Sequence, residues 1–119
     1  MDLGQFSVSL PVKDMNASLD FYQKCGFEVI DGGHKNTDFP DSETTSWRIL
    51  KSGNAVIGLF HGMFDAPILT FNPTDVRSIQ KQLKATGITL IKEADESSEG
   101  PEHLIMTDPD GNQIMMDQH

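Results

Sequence analysis

The chain has 119 residues, a net charge of −9 and a sequence pI near 4.6. Its 37% hydrophobic and 23% charged content is ordinary for a globular protein with one real core. Nine Lys and Arg against eighteen Asp and Glu leave no basic patch for phosphates, which excludes nucleic acid and anionic membrane surfaces as expected partners. In chain order, Phe6-Ser-Val-Ser-Leu10 alternates large apolar with small polar residues and predicts a strand. Asp14 can cap a helix carrying Met15, Leu19, Phe21 and Tyr22 on an apolar face, and Gly26 ends it. Phe27–Ile30 reads as a short strand, and Asp31–Ser46 as a long polar loop of the kind that can form a lid. Trp47–Lys51 and Asn54–Phe60 flank Ser52-Gly53, a hairpin signal.

The pattern then starts again. Ile68–Asn72 is a strand, Thr74 or Asp75 caps a helix with Val76, Ile79 and Leu83 on one face, and Gly87 ends it. Ile88–Ile91 reads as a strand, Glu93–Pro101 as an acidic loop, and His103–Met106 with Gln113–Asp117 as a last hairpin around Asp108-Pro-Asp-Gly-Asn112. The order is βαβββ twice, so we expect a single α+β domain, residues 1–119, of two modules spanning about 1–62 and 66–119.

Cys25 stands alone, so no intrachain disulfide can form, and its place beside Gly26 reads as a small buried position. Met1–Gln5 shows no basic or apolar run of a secretory signal, and no apolar run reaches a membrane-spanning length, so a cytoplasmic location is expected. There is no GxGxxG, P-loop, GxSxG or paired CxxC, and no cofactor is expected. The turn at Asp108 has its glycine fourth rather than sixth, which rules out an EF-hand loop.

The duplicated order resembles the vicinal oxygen chelate superfamily, the group of glyoxalase I, the bleomycin and fosfomycin resistance proteins and the extradiol dioxygenases. The resemblance rests on Asp14-Met-Asn-Ala-Ser-Leu-Asp-Phe-Tyr22, Gly26-Phe27 and Asp108-Pro-Asp-Gly-Asn112 and covers nearly the whole chain. It implies an eight-stranded, cup-shaped mixed sheet with helices on the convex side, and a homodimer. It also implies metal ligands at four positions, which here hold Ser7, Gly58, Ile68 and Met115. A hydroxyl, a hydrogen, an alkyl chain and a thioether do not hold a hard or borderline divalent cation. The resemblance is therefore to the metal-free branch, whose best-known members sequester antibiotics without changing them.

Strand parity gives the residues that would line the cup. Ser7 and Ser9 face inward together, as do Val56, Gly58 and Phe60. Pairing across Ser52-Gly53 sets Trp47 opposite Gly58 and Ile49 opposite Val56. The indole then either roofs a slot for a flat ligand or fills the space that glycine leaves. The second module adds Ile68, Thr70 and Asn72, and Gln113, Met115 and Asp117. Such a lining suits a neutral or cationic organic molecule.

Asp117 is either the charged contact of that site or a solvated strand end. His119, two residues on, shares its face, and the pair are the candidate catalytic residues. His34 reads as solvated and His61 as facing away from the cup. The facing of His103 is open. Three functions follow: metal-free binding of a small organic molecule, extending to sequestration of a toxin or antibiotic; an enzyme with a relocated metal site or metal-free acid–base chemistry; or a partner-binding module whose cup is filled by its own side chains.

Overall fold

A computed structural model describes all residues 1–119. It contains β1 (Gln5–Pro11), α1 (Met15–Lys24), β2 (Glu28–Gly32), β3 (Ser46–Ser52), β4 (Ala55–His61), β5 (Ile68–Asn72), α2 (Val76–Ala85), β6 (Glu102–Thr107) and β7 (Gln113–Gln118). Seven strands and two helices with mixed pairing give an α+β fold. The chain divides into two compact units, one of residues 7–67 and one of residues 1–6 with 68–119. No helix is long and apolar enough to cross a membrane.

In the unit of residues 7–67 the strand order is β2-β3-β4-β1. The β3–β4 hairpin is antiparallel and β1 runs parallel to β4. Leu50 and Leu59 are fully buried on the side opposite the expected site. The Asp14 carboxylate accepts the Ala17 amide at 3.1 Å, and Gly26, at φ +98°, takes the chain out of α1 where a side chain would be strained. The apolar face expected on α1 buries nothing completely: the helix has no buried residue, Phe21 is 60% exposed, and Cys25 at the C-cap is exposed rather than buried. Phe21 lies off the Met15–Leu19–Tyr22 stripe, spaced i, i+4, i+7, so the turn of the helix carries it outward.

The other unit orders its strands β1-β5-β7-β6, with β1 entering through Gln5 and Phe6. Its core is the stripe predicted on α2. Val76, Ile79 and Leu83 pack with Ala94, Leu104, Met106 and Met116, and Asp75 caps the helix through the Ser78 amide at 3.1 Å. Gln80 is also fully buried, and its amide group makes both hydrogen bonds to the backbone of Ala94, accepting from N at 2.7 Å and donating to O at 3.0 Å. Such pairing removes the cost of burying both groups.

The strand expected over Ile88–Ile91 does not form as such. Ile91 and Lys92 both donate to the Ile105 carbonyl, at 2.8 and 3.1 Å, and a single bridge pairs Lys92 with Ile105. The reason is downstream: Gln80 draws Ala94 to α2. Arg77 then holds the following loop, donating to Asp95 O, Gly100 O and Ser98 Oγ at 2.7–2.9 Å.

Candidate functional site

In the first unit, parity places the predicted lining residues on one face, but the hairpin register differs from the expected one. Trp47 pairs with Phe60, Ile49 with Gly58 and Lys51 with Val56. The loop residues are Gly53 and Asn54 rather than Ser52 and Gly53, and Ser52 pairs with Ala55. Gly53 takes φ +57° while Asn54 does not go positive, the pattern of a II′ turn with glycine at the first loop position. Moving the loop by one residue slides the partners by two, so the facing is unchanged. Ser7, Ser9, Trp47, Ile49, Val56, Gly58 and Phe60 still share a side.

The slot expected over Gly58 is closed by Phe60. A Cβ built on Gly58 would lie 2.5 Å from Phe60 Cε2 and 3.3 Å from Ile49 Cδ1. Trp47 stacks parallel to Phe60, 10° between planes and 6.4 Å between centroids, and Phe64 packs on the other rings' neighbour Phe60 at 5.3 Å. The indole N–H is fixed by the Phe39 carbonyl at 2.7 Å. Ser7, Ser9, Val56 and Gly58 are buried, whereas Trp47, Ile49 and Phe60 remain half-buried.

The loop of residues 33–45 is anchored as well. Asp41 accepts the Trp47 amide at 3.3 Å and pairs with Arg48 at 2.9 Å, and Asn36 caps a turn through the amides of Asp38 and Phe39. One face residue is not anticipated in the sequence. A bulge between Val29 and Asp31 sets Asp31 opposite Ile49, which brings its carboxylate onto the shared face. The Asp-Gly-Gly run reads as the start of a loop, and nothing in it announces a bulge.

In the second unit Ile68 pairs with Gln113 and Thr70 with Met115, which carries Asn72 to Asp117. Across the last hairpin, His103 pairs with Asp117 and Ile105 with Met115. The facing of His103 is thereby settled: it stands directly opposite Asp117 on the same side. Ile68 and Thr70 are buried, Met115, Asn72 and Asp117 half-buried, and Gln113 exposed.

The polar end of this face is built around Asp117. Burial pushes its carboxyl above the usual range, against the pull of His119, His103 and Lys92, while Glu102 adds to the rise. No N–H or O–H donates to the Asp117 side chain. His119 Nε2 lies 3.8 Å from its Oδ2 and 3.1 Å from Asn72 Nδ2, which itself donates to the Asp117 carbonyl at 3.0 Å. Beside them Lys92 Nζ donates to Glu102 Oε1 at 2.8 Å and to the His103 carbonyl at 3.0 Å. The Lys92 bond, with the His103 and Asp95 amides, lowers Glu102 to about 2.

Ser7, Gly58, Ile68 and Met115 offer no donor set for a divalent cation, and no group of three or more His, Cys, Asp or Glu is arranged to hold one elsewhere. Asp117, His119 and His103 are neighbours without forming a ligand cluster, and His61 follows the parity of Leu59, away from the face. The residues present do not fit the metal centre that the resemblance implies.

The sequence matches the profile of the Glyoxalase/Bleomycin resistance protein/Dioxygenase superfamily over residues 4–116. The chain belongs to that superfamily. Among solved structures, it is similar to a glyoxalase/bleomycin resistance protein/dioxygenase superfamily member from Vibrio splendidus 12B01, with 17% identity, TM-score 0.63, and coverage of 97% of this chain and 98% of that one. It is also similar to methylmalonyl-CoA epimerase from Streptomyces coelicolor, with 15% identity, TM-score 0.67 and 98% of each chain covered. A hypothetical protein from Bacillus halodurans C-125 aligns at 12% identity and TM-score 0.63, over 99% of this chain and 94% of that one. At these identities the likeness is one of fold. No curated protein matches the sequence.

Proposed function

We propose that this protein binds a small organic molecule, neutral or cationic, without a metal. The accessible part of the second unit's face, at Asn72, His103, Met115, Asp117 and His119, supplies its polar contacts. The observation that carries this reading is Asp117, a half-buried carboxyl that accepts no hydrogen bond through its side chain. A desolvated acceptor without a donor gains most from a ligand that brings an N–H or O–H to it. Binding without turnover would suit sequestration of a toxic compound, the role that resistance proteins of this fold illustrate.

A second reading is favoured by the same carboxyl. A carboxyl raised by burial, with an imidazole directly opposite, is a fit pair for proton transfer, and a structural neighbour of this fold is an epimerase. A thermal-shift screen of neutral and cationic organic compounds finds the ligand. Asp117→Ala is expected to weaken its binding about tenfold or more. The wild type should leave the compound unchanged when products are followed by mass spectrometry. Product formed by the wild type and lost in Asp117→Ala would establish the second reading instead.

A further inference from the structure

His103 reaches the polar end of the second unit's face with one side of its ring already engaged. Ile105 exchanges backbone hydrogen bonds with Lys92, donating to its carbonyl at 3.0 Å and accepting its amide at 3.1 Å. That bridge puts the Lys92 side chain on the side of Ile105 and of His103, two residues earlier on β6. The ammonium has three N–H donors and meets three acceptors: Glu102 Oε1 at 2.8 Å, the His103 carbonyl at 3.0 Å and His103 Nδ1 at 3.4 Å. An ammonium has no lone pair, so Nδ1 accepts, and the neutral ring then carries its proton on Nε2. Glu102 does not compete for Nδ1. Its Oε1 stands 3.7 Å away and already takes the Lys92 ammonium and the His103 amide. Nε2 is left facing outward on a side chain that is 38% exposed.

The other imidazole is fixed the opposite way. Asn72 Nδ2 gives one N–H to the Asp117 carbonyl at 3.0 Å and faces His119 Nε2 at 3.1 Å, so that nitrogen accepts and the His119 proton sits on Nδ1. His119 Nε2 therefore has no proton for the Asp117 carboxylate 3.8 Å away, and Asp117 stays an open acceptor. Asp117 lies directly across the ladder from His103, where Cβ atoms are about 4.5–5.5 Å apart. We infer that Lys92 and Asn72 are positioning residues: they hold His103 Nε2–H as a donor beside Asp117 as an acceptor, which selects a carboxamide or lactam. Such a molecule presents an N–H and a C=O side by side, whereas an ammonium has nothing for His103 to donate to. The inference rests on the reading of Asp117 as the acceptor for the ligand, and narrows that ligand to a neutral one.

Imidazole nitrogen shifts of the intact chain at about pH 8, above the usual titration range of histidine, read both tautomers without any substitution. His103 should carry its proton on Nε2 and His119 on Nδ1. Lys92→Met should turn His103 into a mixture of tautomers while His119 and the amide shifts of β5 and β7 stay in place. Benzamide is the ligand probe, with N,N-dimethylbenzamide lacking the donor and benzylammonium lacking the acceptor. Benzamide should bind about tenfold more tightly than either, and Lys92→Met should remove that preference. A His103 proton on Nδ1, a ring protonated on both nitrogens, or benzamide bound no more tightly than its two counterparts would overturn the inference and leave the Asp117 reading standing. Failure of every neutral and cationic compound to bind in an Asp117-dependent way would sink both, even with the tautomers as expected.

Discussion

The two helices are alike in their capping and termination signals and unlike in what they bury. Both have ten residues, an Asp N-cap whose side chain accepts from the third residue on, a lysine in the last turn and a glycine beyond the C-cap at positive φ. Yet α2 buries Val76, Ile79, Gln80 and Leu83, whereas α1 buries nothing. Capping and termination decide that a helix forms and where it stops. The stripe and the surface beneath it decide what the helix contributes to stability. On α2 the apolar residues recur at i, i+3 and i+7 over a cluster that includes Leu104, Met106 and Met116. On α1 the corresponding stripe, Met15, Leu19 and Tyr22, is only half-buried.

Core truncation separates the helices most sharply. Leu83→Ala is expected to cost about 2–4 kcal/mol, while Leu19→Ala, half-buried on α1, stays within about 1 kcal/mol. Urea unfolding of the two variants measures the gap, and equal losses would break the comparison. Next come the caps. Asp14→Ala and Asp75→Ala should each cost about 1 kcal/mol by the same measurement, because the capping bonds are equivalent even though the packing is not.

The smallest effect is electrostatic and belongs to the α2 unit alone. Glu102, held to about 2 from an ordinary 4.5, contributes stability that is complete above 4.5 and is lost as pH falls toward and through about 2. Glu102→Gln should therefore lower the melting temperature at neutral pH, and the difference from wild type should close as the pH is taken down that window. Asp117 has the opposite sign: its raised carboxyl costs stability as pH rises above 3.8.

Much of this was legible in the residues. The α2 stripe, both caps, the last hairpin and the facing of thirteen expected lining positions follow from period and parity, because those patterns are enforced by burial. What was not legible depends on single backbone events. One residue in the Gly53-Asn54 turn moved Trp47 from Gly58 to Phe60, and the bulge at Ile30 brought Asp31 onto the face. Ile88–Ile91 has the composition of a strand, but Gln80 and Arg77, distant in sequence, hold the chain that follows it elsewhere. The pairing of His103 with Asp117 needed the turn register at Asp108–Asn112, where Asp108 accepts from the Asn112 amide at 2.9 Å and its side-chain amide at 2.8 Å.

Metal content tests the central claim most directly. Inductively coupled plasma mass spectrometry on tag-free protein should find no stoichiometric transition metal. A thermal-shift series with Zn²⁺, Ni²⁺, Co²⁺, Mn²⁺ and Fe²⁺ should leave the melting temperature unchanged. Near-stoichiometric metal, or a stabilisation of several degrees that disappears in Asp117→Ala or His119→Ala, would contradict the account and place a metal centre at the polar end of the second unit's face.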